Sequence, residues 1–193
     1  KHFNDPYVKQ AQKEGYRARA AYKLLELQKK YKILKRGQIV LDLGAAPGSW
    51  CQVIYPFIGT TGKIIAIDFL PMASLPGVTL ITGDLNDEII YQQLINTLAG
   101  KAPDVVLSDI APNMTGIKGI DQSKGLYLLE LTLDFVLKTL KKEGDFISKA
   151  FQSTDFDAFC KTLRMHFNIV HSFKPKASRS CSAEIYLICL NRK

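Results

Sequence analysis

The chain has little of what metal sites, disulfide frameworks and membrane spans require. Its four cysteines form no C-x-x-C pair, and its three histidines are scattered rather than spaced to share a zinc ion with them. We therefore expect free thiols in a reducing compartment, and no metal. No apolar run approaches the length of a membrane span, and the polar residues 1–12 lack the apolar stretch of a signal peptide. A cytoplasmic protein without membrane contacts is expected.

The positive charge of the chain is concentrated at one end. The net charge is +8, and residues 1–36 hold eleven basic and three acidic side chains, whereas residues 37–193 hold fifteen of each. A basic segment of this kind indicates a polyanionic partner, although a solvated lysine-rich helix has the same composition. We interpret 1–36 as a basic arm and helix that belong to the same domain as residues 37–193, and the charge alone leaves both interpretations of its surface open.

Short apolar runs alternate with helical patterns along the chain. Buried strands are predicted at residues 38–44, 63–68, 78–84, 104–109 and 145–149, and two closing strands at 168–173 and 184–190. Helices are predicted at residues 17–31, 49–58, 126–140 and 155–166, with Asn86 available to cap one more helix after the third strand. The alternation predicts a Rossmann-like α/β fold. We expect a mostly parallel seven-stranded sheet with helices on both faces and one antiparallel edge strand.

The first predicted strand runs into a loop of small residues. The sequence DLGAAPGSW at residues 42–50 places Gly44, Ala46 and Gly48 at alternate positions, where the backbone can approach a ligand closely. The dinucleotide fingerprint G-x-G-x-x-G would need glycine at 44, 46 and 49, and two of these positions are Ala46 and Ser49. NAD binding is therefore disfavoured, and a nucleoside without phosphates suits the loop better.

Two carboxylates end the next two predicted strands. Asp68 can accept hydrogen bonds from both hydroxyls of a ribose, and Asp84 lies at the adenine end of the same expected site. Each aspartate alone could be a helix cap or a turn former. Trp50 can flank this site or belong to the core. Together with the loop, the two acids favour a nucleoside cofactor.

Six segments in order along the chain resemble one family. They are RARAAYKL at residues 17–24, DLGAAPG at 42–48, DFLPM at 68–72, SDIAPNM at 108–114, SKAFQ at 148–152, and residues 178–186. The chain resembles the FtsJ/RrmJ (RlmE) family of ribosomal RNA 2′-O-ribose methyltransferases. The resemblance implies S-adenosyl-L-methionine bound by Gly48, Trp50, Asp68, Asp84 and Asp109. One departure is PGSWC at residues 47–51 in place of the family's usual PGGWS, where we expect local adjustment at Ser49.

The family uses a Lys–Asp–Lys–Glu catalytic set, whose counterparts are Lys23, Asp109, Lys149 and Glu184. Lys23 alone could be a solvated helix charge and Glu184 an edge-strand charge. Lys149 follows an apolar strand run, where a charge needs partners. For a ribose hydroxyl that attacks a sulfonium methyl group, a neutral Lys149 could take the proton, and a charged one would stabilise the developing alkoxide. The sequence leaves both roles open, and neither needs a metal.

The resemblance implies the substrate as well. It points to a uridine ribose of 23S ribosomal RNA, in the aminoacyl-tRNA-binding loop at the peptidyl-transferase centre, methylated by a monomer on the assembled or nearly assembled large subunit. Transfer RNA or an mRNA cap is the alternative substrate, disfavoured because the single domain lacks a cap-binding extension. A non-enzymatic RNA-binding protein on the same scaffold is disfavoured because all four catalytic residue types are present. An NAD oxidoreductase is disfavoured by the fingerprint mismatch.

Overall fold

The computed structural model describes residues 5–113, 115–179 and 182–193. The predicted arm before residue 5, Met114, and residues 180 and 181 of the segment 178–186 lie outside this range. The helices are α1 (Pro6–Glu14), α2 (Ala21–Tyr31), α3 (Ser49–Ile58), α4 (Glu88–Leu98), α5 (Lys118–Thr139) and α6 (Phe156–His166). The strands are β1 (Ile39–Leu43), β2 (Lys63–Asp68), β3 (Val78–Thr82), β4 (Val105–Ser108), β5 (Asp145–Phe151), β6 (Phe167–Phe173) and β7 (Glu184–Arg192).

The strands form one seven-stranded sheet in the order β3-β2-β1-β4-β5-β7-β6. The first five strands pair in parallel, and β7 runs antiparallel between β5 and β6. The predicted mostly parallel α/β fold is confirmed. The edge strand β6 pairs antiparallel with its neighbour, as expected. That neighbour, β7, is the strand that runs opposite to the others. Because no helix separates β6 from β7, the chain can only return beside β6 in the opposite direction.

The two faces of the sheet support separate hydrophobic cores. In β2, Ile65 and Ile67 pack with α4, α5 and α6, whereas Ile64 packs with α2 and α3. Side chains alternate along a strand, so a strand that is apolar at every position buries both faces. Leu24 and Leu27 of α2 are fully buried in the core that lies on the α2 and α3 side. The basic N-terminal helix is therefore part of the main domain's packing.

The N-terminal segment begins differently from the prediction. The helix predicted over residues 17–31 begins at Ala21, and a polar stretch before it forms α1. Asp5 caps α1 by accepting a hydrogen bond from the backbone N–H of Tyr7, Pro6 stands at its first position, and Gly15 ends it in the left-handed conformation at φ 77°. Of this helix only Ala11 is buried, so no apolar stripe marks it in the sequence.

Two helix starts also differ from the predictions. Helix α5 begins at Lys118 rather than at residue 126, because Asp121 accepts hydrogen bonds from the N–H groups of Thr115 and Gly116 and fixes the preceding turn. Asp87, not Asn86, caps α4, since its carboxylate accepts the N–H of Ile89 at 2.9 Å. Within the described ranges, no helix combines the length and the apolar character that crossing a bilayer demands.

We predict that replacing Leu27 by alanine lowers the free energy of unfolding of the whole domain. The side chain is fully buried, and leucine-to-alanine changes in such positions cost about 2–5 kcal/mol. Urea unfolding followed by both far-ultraviolet circular dichroism and tryptophan fluorescence measures the change, and Lys29→Ala, on the exposed side of the same helix, is the control. Separate transitions for the two probes would show that residues 1–36 do not fold with the rest.

Candidate active site

A cavity of about 780 Å³ opens at the carboxyl ends of the parallel strands. It lies where the strand order reverses between β1 and β4, which is where open parallel sheets bind ligands. The loops after β1, β2, β3 and β4 and the inner side of α5 form its walls. The lining residues include Gly44, Asp68, Phe69, Asp84, Asp109 and Leu128.

Three of the predicted site carboxylates line this cavity. Asp68 accepts hydrogen bonds from the backbone N–H groups of Ala46 and Leu70, both at 2.8 Å. A carboxylate has about four acceptor positions, so two remain for a ligand. Asp84 accepts from the backbone and side chain of Asn86 at 2.9 Å, and Asp109 follows β4. The loops hold these acceptors in fixed orientations around a partly apolar cavity.

Glycines allow the loop after β1 to adopt its path. Gly44 has φ 71°, and a side chain there would place a Cβ 2.7 Å from Cγ1 of Ile110, so glycine lets the loops after β1 and β4 touch. Gly48 has φ 103° directly before α3, and Ser49 is the first helical residue. Because the positive angle falls on Gly48, Ser49 adopts ordinary helical backbone. The departure from the family pattern at residue 49 therefore needs no unusual conformation.

Arg17 fastens two loops beside the cavity. Its guanidinium donates to the carbonyls of Pro47 at 2.9 Å, Ala73 at 2.8 Å and Ser74 at 3.0 Å. Arg19 is also engaged, by an ion pair with Asp5. Two of the positive charges in the basic N-terminal segment, those of Arg17 and Arg19, thus have partners within the protein.

Two predicted cofactor residues, Gly48 and Trp50, are not among the residues that line the cavity. Trp50 is buried, donates its ring N–H to the carbonyl of Ala20 at 2.9 Å, and has its ring centre 5.9 Å from that of Tyr186. Any influence of Gly48 or Trp50 on a ligand in the cavity would pass through the loop that they shape.

The four predicted catalytic side chains meet in one cluster. Lys149 Nζ lies 3.0 Å from Oδ1 of Asp109 and donates to the Asp109 carbonyl at 2.7 Å. It also lies 3.9 Å from Oε2 of Glu184, whose Oε1 and Oε2 are 2.7 and 2.9 Å from Nζ of Lys23. Two ammonium groups and two carboxylates alternate, so each charge has an opposite neighbour. We call Lys23, Asp109, Lys149 and Glu184 the KDKE cluster.

The sheet register explains why distant residues converge here. Ser108 pairs with Ser148, so Asp109 and Lys149 follow as neighbours at the ends of β4 and β5. Lys149 pairs with Tyr186 of β7, and residues two apart in a strand share a face, so Glu184 and Tyr186 project to the side that α2 covers. Helix α2 supplies Lys23 from above that face. Four separate elements therefore build the cluster.

Two partners of the cluster were not singled out from the sequence. The hydroxyl of Tyr186 donates to Oδ1 of Asp109, and the hydroxyl of Ser178 donates to Oε1 of Glu184 at 2.7 Å. The position of Tyr186 two residues after Glu184 was the available signal, because both must then share a strand face. Ser178 lies in a loop and left no periodic signal.

The surroundings of the cluster shift the pKa values of Glu184 and of its neighbour Tyr186. Burial raises the pKa of Glu184, but the charge and hydrogen bond of Lys23, with the Ser178 hydroxyl, more than offset this and leave that pKa below its ordinary value. Burial, with the charges of Asp109 and Glu184, raises the pKa of Tyr186 well above its ordinary value. Glu184 is thus a carboxylate and Tyr186 a hydrogen-bond donor at neutral pH.

The KDKE cluster and the cavity share Asp109, which belongs to both. A molecule in the cavity would therefore lie near Lys149, a largely buried lysine that Asp109 holds in one orientation. Such an arrangement can bind a hydroxyl group and accept or donate its proton. Among the described residues, no group of three or more His, Cys, Asp or Glu side chains is arranged to hold a metal ion.

The comparisons with known proteins agree with this geometry. The sequence matches the FtsJ-like methyltransferase family over residues 16–192. The chain belongs to this family. Ribosomal RNA large subunit methyltransferase E of Acinetobacter baumannii is 50% identical over 192 residues, which are 100% of this chain and 89% of the relative. The protein of the same name from an Azoarcus species is 49% identical over 187 residues, or 97% and 91% of the two chains.

Solved structures share the fold. A Plasmodium falciparum protein assigned as a ribosomal RNA methyltransferase superposes with a TM-score of 0.83 at 35% identity, over 92% of this chain and 98% of that one. A Lactococcus lactis protein assigned as a hemolysin has a TM-score of 0.67 at 15% identity, over 92% and 89%, and shares the fold alone. As an FtsJ-like methyltransferase, the chain needs a methyl donor.

This FtsJ-like methyltransferase also buries a carboxyl group between the aspartates of its site. Asp42 of β1 is fully buried, the thiol of Cys51 donates to its Oδ2 at 3.1 Å, and among the described residues nothing hydrogen-bonds its Oδ1. Burial, with the charges of Asp109 and Asp68, raises the pKa of Asp42 to about 7. Around neutral pH, Asp42 therefore changes charge beneath the cavity.

We predict that Asp42→Asn removes part of the pH dependence of stability. In the unfolded chain this carboxyl ionises near pH 4, and in the folded protein near pH 7. Between these values only the unfolded chain releases the proton, so rising pH favours unfolding, by on the order of 2 kcal/mol from pH 5 to pH 8. Urea denaturation at both pH values should show this loss in the wild type and less of it in Asp42→Asn. The exposed control Glu130→Gln should behave as the wild type does, and an unchanged slope in Asp42→Asn would contradict the assignment.

Proposed function

We propose that the chain transfers the methyl group of S-adenosyl-L-methionine to the 2′-oxygen of a uridine ribose in large-subunit (23S) ribosomal RNA. The observation that carries the proposal is the KDKE cluster, joined to the carboxyl-edge cavity through Asp109. The names of the A. baumannii and Azoarcus relatives support the ribosomal RNA of the large subunit as substrate. We further propose that the protein acts as a monomer in the cytoplasm.

The residues of the cavity fit the proposed cofactor. Asp68 has acceptor positions left for ribose hydroxyls, Asp84 offers a further acceptor, and Phe69 and Leu70 provide apolar surface for a purine ring. Gly48 and Trp50 would act by shaping the loop. A bound S-adenosyl-L-methionine supplies an electrophilic methyl group on a positively charged sulfur. The carboxylates Asp68 and Asp109 would favour that positive charge.

The KDKE cluster would prepare the ribose hydroxyl. This hydroxyl must lose its proton as its oxygen bonds to the methyl carbon, and a hydroxyl is a poor nucleophile while it keeps the proton. Lys149 Nζ, held by Asp109 and 9% exposed, is the group available to accept the proton in its neutral form or to stabilise the developing oxyanion in its charged form. Lys23 and Glu184 would orient Lys149 and the ribose, because positioning supplies much of such a rate.

We expect this domain to recognise large ribosomal particles better than free RNA. The excess positive charge lies within residues 1–36, which can contact phosphates but carry few means of reading bases. Selecting one ribose among thousands then depends on the folded shape of the RNA, which an assembled particle provides. We therefore propose that residues 1–36 contact the ribosomal RNA of an assembled or nearly assembled large subunit.

We predict that Lys149→Ala abolishes methyl transfer while leaving the affinity for S-adenosyl-L-methionine almost unchanged, because Lys149 is not among the residues lining the cavity. Lys149→Arg should also fail, since a guanidinium does not act as a base and differs in shape. Asp68→Ala is the reciprocal variant and should weaken cofactor binding roughly tenfold by removing hydrogen bonds. Calorimetry and transfer of a labelled methyl group measure the two effects. Substantial turnover by Lys149→Ala would contradict the catalytic role of Lys149 and show that another group fills it.

We predict that purified undermethylated large subunits accept far more methyl label than the same RNA stripped of protein. The expected difference arises because only the particle presents the target loop in its final shape. The labelled nucleotide is then mapped, and transfer RNA from the same cells serves as a second substrate. Equal labelling of stripped RNA would contradict the particle requirement, and selective labelling of transfer RNA would replace the proposed substrate.

A further inference from the structure

A group of aromatic rings and one lysine lies on the surface beyond the KDKE cluster. The ring of Tyr31, the last residue of α2, stacks on that of His171 with centres 6.4 Å apart, and meets Phe173 edge-on at 5.9 Å. Nζ of Lys30 lies 4.4 Å from the ring centre of Phe173 and 5.3 Å from that of Tyr31. We call Lys30, Tyr31, His171 and Phe173 the α2–β6 patch.

The patch adjoins the candidate active site through both elements that carry it. Phe173 of β6 pairs directly with Tyr186 of β7, whose hydroxyl holds Asp109. Lys30 follows Lys23 by seven residues on α2, which places the two on nearly the same helix face about 10 Å apart along the axis. The patch therefore lies along α2 from Lys23, within reach of a nucleotide next to one held at the KDKE cluster.

The patch is open to solvent and surrounded by positive charge. Lys30 and His171 are exposed, and Tyr31 and Phe173 are half-buried against the core on the α2 side. The exposed basic residues Lys29, Lys32, Lys35 and Arg36 come from the same end of α2 and the chain that follows it. A cluster that served only the core would bury the histidine, whereas this one presents rings and cations together.

We propose that the α2–β6 patch binds an unpaired base of the substrate RNA beside the methylated nucleotide. Aromatic rings stack on the face of any base, and neighbouring cations attract the adjacent phosphates, so this combination suits single-stranded RNA rather than a protein partner. This inference rests on the proposed function, because it takes the RNA strand to continue from the KDKE cluster. It adds a flanking-base contact, outside the cofactor cavity and the catalytic cluster, that anchors the strand.

The stacking contact is tested by binding two labelled strands with the same backbone. One is a 12-nucleotide oligouridylate and the other carries abasic ribose at every position. In fluorescence anisotropy, His171→Ala and Tyr31→Leu should each weaken binding of the oligouridylate by about tenfold and leave the abasic strand unaffected. The slope of affinity against salt should stay constant, because no phosphate contact is removed. Asn168→Ala, also exposed on β6, is the matched control and should bind as the wild type does.

Turnover on undermethylated large subunits gives an independent measurement. His171→Ala should raise KM for the subunits about tenfold and leave kcat and the cofactor affinity within twofold, since the catalytic cluster is intact. Equal affinity of the wild type for both strands, or unchanged oligouridylate binding by His171→Ala, would overturn the proposal. Should wild-type protein methylate no ribosomal RNA, the proposed function fails, yet the two strands still report whether the patch stacks a base. His171 is exposed, so its variant should keep the thermal stability of the wild type.

Discussion

The largely buried amino group of Lys149 is the constraint around which this end of the molecule is organised. Its side chain is 9% exposed in β5, between the buried apolar residues Ile147 and Ala150, and a charge so placed is costly unless opposite charges and hydrogen bonds surround it. Asp109 and Glu184 can provide them only because β4 and β7 flank β5 in the sheet. Insertion of the reversed strand β7 beside β5 is therefore a requirement of the site. Lys23 then balances Glu184, and Tyr186 fixes the remaining carboxylate.

Local periodicity was sufficient to predict the strands and most helices, and the succession of motifs was sufficient to predict the members of the cluster. The apolar runs of β1, β2 and β4 are nearly continuous because both faces of a central parallel strand are buried. Helix α1 and the first turns of α5 lack an apolar stripe, and their starts depend on Asp5 and Asp121. The contact of Tyr186 with Asp109 and the α2–β6 patch depend on pairings between distant segments, whereas Ser178 lies in a loop that carries no periodic signal. Such pairings follow from sheet register, which sequence periodicity does not determine.

The net charge of the N-terminal segment overstates the positive charge that is free to bind a partner. Of the basic residues in the N-terminal segment, Arg17 holds the loops that contain Pro47 and Ala73, Arg19 pairs with Asp5, and Lys23 pairs with Glu184. These three cations contribute to the count of +8, yet each has a structural partner within the protein. Among the described residues of this segment, Lys9 and Lys13 of α1 are exposed, and the larger group of exposed basic residues, from Lys29 to Arg36, lies at and just after the carboxyl end of α2. A polyanion would therefore meet this end of α2 more readily than Arg17 or Arg19, which favours the neighbourhood of the α2–β6 patch as the proposed RNA-binding surface.

The distribution of the two proposed binding regions fits the geometry of methyl transfer. The cavity is lined from the α4 and α5 side of the sheet, by Tyr91 and Leu128 among others, whereas Lys23 and the patch lie on the side of α2. An oxygen must approach a methyl carbon from the side opposite its leaving group, so the proposed cofactor and RNA should enter from different directions and meet at one point. Asp109 lies at that point, since it lines the cavity and binds Lys149. Because Asp109 directly follows β4, the carboxyl edge of the sheet would itself fix where the two proposed partners meet.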